Sequence, residues 1–343
     1  MQKILIIIAG IGTGGHYFPA VVVAKEFMEN NYPTIFLARK GYPEERVAQR
    51  YNLKLFYISP RPYYGKSIVN KLWAIERVFE SVLRLHSLTK KCAGISFGGF
   101  GSLPLIVSCM INNQPFFLFE PNTIPGRTTR MFSRFARKIF LGLPSVMNLC
   151  GNSVISGIPV REEFKQAKEK TVHTGTKTVL FMGGSQGARR LNEIALRFQR
   201  ILPENYKIII ISGQRDFEWV NEAKDFRTEV ISFTTEPWEI ISQADVVVSR
   251  AGALSGYELL LMKKKVIFIP FPYAIDNHQF YNAQYFCRMP NIRMIEEKDL
   301  NEEKLLKMVQ ELMNLPEIEK ERGLIVRNDA EKIIVEYVRR ELR

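Results

Sequence analysis

Apolar and polar positions along the 343-residue chain follow two alternating rhythms. Short apolar runs of strand length occur at residues 3–9, 34–38, 95–101 and 115–120. Between them, residues 18–30 place Ala20, Val23, Ala24 and Phe27 at helical spacing, and residues 70–88 form a long amphipathic segment. Strands alternating with helices predict a parallel sheet covered by helices. The rhythm restarts with strands at 178–182, 207–212, 229–233, 245–249 and 266–270 and a helix over about 188–201. Residues 160–177, between the two series, are polar, charged and free of apolar periodicity, which marks a linker. The stretch 329–343 reads as a helix carrying Ile333, Ile334, Val335 and Val338. The expected fold class is α/β, with two Rossmann-like, doubly wound parallel-sheet domains and a cleft between them. The boundary falls between residues 1–160 and 161–328, in keeping with the usual ~100–200 residues per domain.

Composition narrows the class. With 46% apolar and 24% charged residues the chain is globular, not disordered or fibrous. No apolar run reaches the roughly 18 residues of a membrane-spanning helix. The opening Ile-rich run passes straight into a glycine loop, so it reads as a buried first strand rather than a signal peptide, and an intracellular chain is expected. Cys92, Cys109, Cys150 and Cys287 form no CxxC pair and suggest neither a zinc site nor a disulfide framework. The charge is uneven. Residues 1–160 hold 19 Lys+Arg against seven Glu and no Asp, a net of +12, while residues 161–343 hold 29 basic and 28 acidic residues. An anionic partner is expected for the first half: nucleic acid, a membrane surface or a phosphorylated substrate.

Candidate chemistry sits in loops after strands. Gly10, Gly12 and Gly15 have the bare GxGxxG spacing, and a glycine loop opening a helix suits a phosphate. The acidic residue that should end the second strand of a dinucleotide site is replaced by Arg39-Lys40, which disfavours a dehydrogenase. His16, at the helix start, reads as a general base or an anion contact. Gly183-Gly184-Ser185-Gln186-Gly187 repeats the phosphate-loop physics in the second half, without the Lys-Ser/Thr of a Walker loop. Arg250 follows a strand, and Glu258 falls one to two turns into the next helix. Glu258 reads either as an acceptor for two ribose hydroxyls or as a solvated helix residue. Asp276, Asn277, His278, Gln279 and Asn282 form a loop whose neutral amides suit sugar hydroxyls. Glu120 and Asn122 mark a strand end that alone is no more than a turn.

Taken in order, Gly12-Thr13-Gly14-Gly15-His16, Ile158-Pro159-Val160-Arg161, Gly183-Gly184-Ser185-Gln186-Gly187-Ala188, Arg250-Ala251-Gly252-Ala253-Leu254, Pro270-Phe271-Pro272, Asp276, His278-Gln279 and Asn282-Ala283 resemble the MurG glycosyltransferase family from residue 4 to about residue 285. The resemblance implies a GT-B fold, two Rossmann-like domains facing across a cleft. Residues 1–160 would be an acceptor- and membrane-facing domain on which helix 329–343 packs back, and 161–328 a UDP-sugar domain. It implies transfer of N-acetylglucosamine from UDP-N-acetylglucosamine to an undecaprenyl-pyrophosphoryl-muramyl pentapeptide. Thr13, Gly14, Gly15, Asn122, Arg161, Ser185 and Gln279 would contact the donor. Ala253, Leu254, Ser255 and Glu258 would hold the uridine ribose and sugar, with Arg250 and Ser185 facing the diphosphate. His16 would be the base, and Glu120 is the second candidate. The family's His-Glu-Gln-Asn reads Phe119-Glu120-Pro121-Asn122 here, and its Thr-Val-Ser-Glu reads Ser255-Gly256-Tyr257-Glu258.

The implied reaction is an inverting displacement. With no Asp-x-Asp pair in the sequence, neither metal nor cofactor is expected. Leu72, Trp73, Ile75, Val78, Phe79 and Val82, interleaved with Lys66, Lys71, Arg77 and Arg84, read as an interfacial surface for an anionic membrane. Trp73 and Phe79 also read as core. The expected location is the cytoplasmic face of the cell membrane, peripherally attached. The same-fold rivals, a UDP-N-acetylglucosamine 2-epimerase or another lipid glycosyltransferase, are disfavoured by the pairing of the second glycine loop with His-Gln-x-x-Asn-Ala. A nucleic-acid module lacks zinc spacing, an RNA-binding signature or a recognition helix, so no nucleic-acid partner is expected.

Overall fold

The computed structural model describes residues 3–61, 68–167, 175–184, 187–316 and 326–342, and of residues 68–72 the backbone only. It divides into two compact units, one of Met1–Arg161 with Arg327–Arg343 and one of Glu162–Val326.

In the first unit the chain runs β1 (Leu5–Ala9), α1 (Gly14–Glu29), β2 (Thr34–Ala38), α2 (Pro43–Arg50), β3 (Lys54–Tyr57), α3 (Ile68–His86), β4 (Cys92–Ser96), α4 (Leu103–Ile111), β5 (Phe116–Glu120), α5 (Arg127–Phe132), β6 (Lys138–Leu141) and β7 (Ser153–Ile155). All strands pair in parallel, in the order β3-β2-β1-β4-β5-β6-β7. The central strands are buried on both faces, which is why β1, β2 and β5 read as unbroken apolar runs. Ile7 lies between Ile35 and Gly94 in register, and a core of Ile7, Leu37, Leu105, Ile106 and Leu118 fills one side.

The second unit runs α6 (Glu162–Gln166), β8 (Lys177–Met182), α7 (Arg189–Phe198), β9 (Tyr206–Ile211), α8 (Phe217–Ala223), β10 (Thr228–Ile231), α9 (Pro237–Ser242), β11 (Val246–Ser249), α10 (Ala253–Leu261), β12 (Lys265–Phe268), α11 (His278–Phe286), β13 (Ile292–Met294) and α12 (Glu302–Met313). Its parallel order is β10-β9-β8-β11-β12-β13. Helix α13 (Ala330–Glu341) belongs to the first unit, where it packs on α1, and Tyr337 meets Phe140 with ring centroids 6.2 Å apart.

Two expectations need correction. Residues 95–101 are not one strand. β4 stops at Ser96 because Gly98 and Gly99 take left-handed φ of 81° and 71°, which no ladder accommodates, and Phe100–Ser102 is a single 3-10 turn. Residues 160–177 are also not simply a polar linker. Val160 and Arg161 are buried in the first unit, and α6 buries Phe164 edge-on to Trp238 at 5.5 Å.

In each unit the strand order reverses around the first strand. β1 lies between β2 and β4, and β8 between β9 and β11. Ligands of open parallel sheets bind beyond the strand carboxyl ends at such a reversal. In the first unit those ends carry residues 10–15 and 97–102, and in the second, residues 183–184, 187–188 and 250–252.

Candidate active site

In the first unit, α1 begins at Gly14 with Thr13 as its N-cap. The Thr13 N–H donates to His16 Nδ1 at 3.3 Å, and Thr13 Oγ1 approaches the same nitrogen at 3.1 Å. An Nδ1 that accepts from a backbone N–H carries no proton, so neutral His16 bears its hydrogen on Nε2. The ring lies against the turn after β4, and a Cβ added to Gly99 would sit 3.3 Å from Nε2. That turn is tied down by Ser102, whose hydroxyl donates to Gly98 O at 2.8 Å and Ala9 O at 3.2 Å. Sequence reasoning saw glycine punctuation here and missed its role. The signal was available as two successive glycines after a buried strand.

Glu120 is 3% exposed and accepts four hydrogen bonds. Asn122 donates from N and Nδ2 to Oε1 at 3.1 Å each, while Gly126 N and Thr129 Oγ1 donate to Oε2 at 2.8 and 2.7 Å. Burial pushes this carboxyl above its usual range, against the pull of its donors. A base must reach a substrate proton. Glu120 spends both oxygens on its own loop, so its reading as a second base is corrected. It organises residues 120–129 and holds Asn122, half-buried, at their start.

Around this loop cluster, Arg39 occupies the place of a dinucleotide-site acid. Its Nε lies 2.6 Å from Oε1 of the fully buried Glu44, and its guanidinium lies 3.8 Å from the Tyr42 ring centroid. Arg161, 8% exposed, stacks over Phe18 at 4.1 Å. Burial, then Glu44, raises the Tyr17 phenol, and Arg161 draws it back. Thr13, Gly14, Gly15, His16 and Arg161 therefore belong to one neighbourhood at the start of α1.

In the second unit, Ser185 and Gln186 lie outside the described residues, and α7 starts at Arg189 beyond them. Helix α10 starts at Ala253 after the N-cap Gly252, so the backbone N–H groups of Ala253, Leu254 and Ser255 are the unpaired ones of its first turn. Glu258, on its second turn, is 6% exposed, which settles the choice against a solvated helix residue. Arg250, expected to face the diphosphate, is held by partners within its own unit. Its Nη1 donates to Ile269 O at 3.1 Å and Pro270 O at 3.3 Å and lies 2.6 Å from Glu297 Oε2. Burial draws the guanidinium below its usual range, opposed by Glu297. Gln279 accepts the Phe271 N–H at 2.9 Å, and Asn282 Nδ2 donates to Ala251 O at 3.2 Å, so α11 is fastened to the loop before α10. Glu297 was not singled out from the sequence, where it is one glutamate in an acidic run.

On α3, Trp73, Ile75, Phe79 and Leu83 are 54%, 63%, 61% and 60% exposed. Trp73 and Phe79 are thus not core. Ile111, at the end of α4, which packs on α3, is 59% exposed. Lys66 and the side chains of Lys71 and Leu72 lie outside the described residues. Among the described residues no helix is long and apolar enough to cross a membrane.

Comparisons with known proteins bear on what these loops serve. Residues 6–141 match the glycosyltransferase family 28 N-terminal domain and residues 178–336 the family 28 C-terminal domain. A relative from Thermodesulfovibrio yellowstonii, the UDP-N-acetylglucosamine--N-acetylmuramyl-(pentapeptide) pyrophosphoryl-undecaprenol N-acetylglucosamine transferase, is 32% identical over 336 residues, 92% of each chain. Crystalline MurG of Acinetobacter baumannii superposes with a TM-score of 0.74 at 22% identity, covering 99% of this chain and 100% of that one. The UDP-GlcNAc 2-epimerase of Neisseria meningitidis has a TM-score of 0.64 at 12% identity, covering 98% and 100%. The GT-B fold is therefore common to transferase and epimerase, and sequence identity separates them. On that identity, sustained over nine-tenths of its length, the chain belongs to the MurG family of family 28 glycosyltransferases.

Proposed function

We infer that the protein transfers N-acetylglucosamine from UDP-N-acetylglucosamine to undecaprenyl-pyrophosphoryl-muramyl pentapeptide, the step from lipid I to lipid II of peptidoglycan synthesis. The observation that carries this is the 32% identity, over 92% of both chains, to a relative of that name. In our reading the first unit serves the acceptor and the second the donor. The acceptor hydroxyl attacks the anomeric carbon as the bond to UDP breaks, inverting the centre. His16 takes the hydroxyl proton at Nδ1, and the exposed Thr13 hydroxyl, 3.1 Å from that nitrogen, is placed to relay it. The second unit contributes Glu258 for the ribose hydroxyls and the first-turn N–H groups of α10, with Ala253, Leu254 and Ser255, for the nucleotide. Ser185 and the start of α7 serve the departing diphosphate, and Gln279 serves the sugar. Asn122 and Arg161 complete the donor contacts.

The membrane reading rests on α3. An apolar stripe 54–63% exposed, beside exposed Arg84, Lys90 and Lys91, suits the interface of an anionic bilayer. Each basic side chain near such a surface contributes about 1 kcal/mol. We place the protein peripherally on the cytoplasmic face.

The test is incubation with labelled UDP-N-acetylglucosamine and the lipid-linked muramyl pentapeptide. Label should enter the lipid only when acceptor is present. Conversion of the UDP-sugar to its 2-epimer without acceptor would replace this reading by the epimerase one. For the membrane, the full chain should sediment with anionic vesicles, and a Trp73→Ser, Phe79→Ser variant should not. Equal sedimentation would remove the α3 stripe from the account.

A further inference from the structure

We propose that Glu297 is a positioning residue for the sugar half of the donor site, acting through Arg250 on the loop that is hydrogen-bonded to Gln279 of α11. The proposal rests on the donor reading above and assigns a part of that site to a residue outside every sequence motif.

Glu297 lies in a one-turn 3-10 helix, Glu297–Asp299, just after β13. Its Oε2 is 2.6 Å from Arg250 Nη1, and both side chains are largely buried. The same nitrogen grips the carbonyls of Ile269 and Pro270, where β12 gives way to the loop. The Phe271 ring lies 5.4 Å from the guanidinium, and the Phe271 N–H donates to Gln279 Oε1. The connection is continuous, from Glu297 through Arg250 to Pro270 and Phe271, and thence to Gln279. At the other end Asn282 anchors α11 to Ala251.

Two consequences follow. Because Gln279 Oε1 is held by the loop, its Nε2 is the end presented as a donor, which suits a neutral hydroxyl oxygen. The loop also needs support, because Asp276 and Asn277 both take left-handed φ, 52° and 53°. Successive non-glycine residues in that region persist only where their surroundings fix them. A buried guanidinium stripped of its carboxylate would carry an uncompensated charge and be a poor anchor, so Glu297 keeps Arg250 in place. The ribose contact, Glu258, lies on a different element, so the latch should govern sugar recognition and leave nucleotide recognition alone.

The experiment measures the affinity of the full chain for UDP and for UDP-N-acetylglucosamine by calorimetry, with kcat and KM alongside. Glu297→Ala should leave UDP affinity within about twofold of wild type and cut the advantage of the UDP-sugar over UDP about five- to tenfold, the scale of one misplaced hydrogen bond. Glu297→Gln, which still offers Arg250 an oxygen, should lose less. Since Glu297 acts through Arg250, the double variant with Arg250→Ala should be no worse than Arg250→Ala alone. Gln279→Ala, with the latch intact, should lose the same advantage, and this arm stands even if Glu297→Ala does not fold. Equal losses for UDP and UDP-sugar would mean a merely structural role and overturn the proposal. Tighter UDP binding by Glu297→Ala would also overturn it, because the carboxylate would then be withholding Arg250 from the diphosphate. Failure of the wild type to bind UDP-N-acetylglucosamine would instead refute the donor reading itself.

Discussion

Gly256 is one of the positions at which this chain departs from the pattern it resembles, and there the cost can be worked from the structure. A Cβ at that position would lie 2.3 Å from Phe286 Cε2 and 2.7 Å from Cζ. The ring cannot swing aside, because Phe286 is fully buried and packed on Phe268 at 5.3 Å. Overpacking of this kind costs about 1–3 kcal/mol. Replacing an interior helical glycine by alanine returns about 0.8–1.0 kcal/mol. Gly256→Ala should therefore destabilise the protein by up to about 2 kcal/mol, the difference of the two terms. Gly256→Val, the residue the resemblance implies here, should cost more, since its two methyl groups must enter the space of the same ring. Phe286→Leu introduced with Gly256→Ala should recover at least half of the loss, because the two residues share one volume. Urea denaturation reads the stability. Calorimetry with UDP-N-acetylglucosamine reads the function, since α10 also carries Glu258, and affinity should fall where the helix shifts. A Gly256→Ala variant more stable than wild type by the full ~1 kcal/mol of helix propensity would refute the packing argument.

Three further outcomes are expected. His16→Ala should lower kcat by about 10²–10⁴ with donor KM little changed, and Thr13→Val should follow it while Thr13→Ser does not; a wild-type kcat in Thr13→Val would remove the hydroxyl relay. Activity should persist after dialysis against EDTA, since the sequence has no Asp-x-Asp pair to hold a diphosphate-bound cation; loss restored by magnesium or manganese would show that protein dipoles are insufficient. Under iodoacetamide at about pH 8, exposed Cys150 should react first, while buried Cys92 and Cys109 and the Cys287 thiol, pushed up to about 11 by burial, are spared. The fold prefers that thiol neutral, so Cys287 contributes stability below the ordinary range of about 8.5 that is lost as pH rises through about 11; early labelling of Cys287, read by mass spectrometry, would contradict its burial.

The strands were legible because buried parallel strands are written as unbroken apolar runs. β1, β2, β5, β8 and β11 all fall within a residue or two of their sequence reading. The half-exposed β3 and three-residue β7 and β13 carry no such run and went unread. Short α2 and α6 escaped for a related reason, since each buries only one or two side chains. In the site, motif order located the right loops, but the direction of a charged side chain is not written in its neighbours. Arg250 read as a diphosphate contact and Glu120 as a second base from their places after and at the end of a strand. Their partners, Glu297, Gly126 and Thr129, come from elsewhere in the fold or from a turn whose closure the sequence does not display. Exposure of the α3 stripe was equally open, because an amphipathic helix shows two faces without saying which one meets the core.

One consequence of the buried arginines concerns salt. Arg39 and Arg250 are each paired with a glutamate at 2.6 Å, the fully buried Glu44 and the half-buried Glu297, so neither adds a net charge to its loop. Recognition of UDP then falls to hydrogen bonds made at contact, from helix N-termini and hydroxyls, well inside the Debye length of about 8 Å at physiological salt. In the proposed membrane reading, attraction of exposed Arg84, Lys90 and Lys91 to an anionic bilayer would act across water and be screened. Raising the salt about tenfold from near 50 mM should therefore change UDP affinity less than about threefold while markedly weakening vesicle binding. Calorimetry and co-sedimentation on the same samples separate the two. If UDP affinity fell as steeply as vesicle binding, a free cation would have to face the diphosphate, and the internal pairing of Arg250 would not describe the liganded protein.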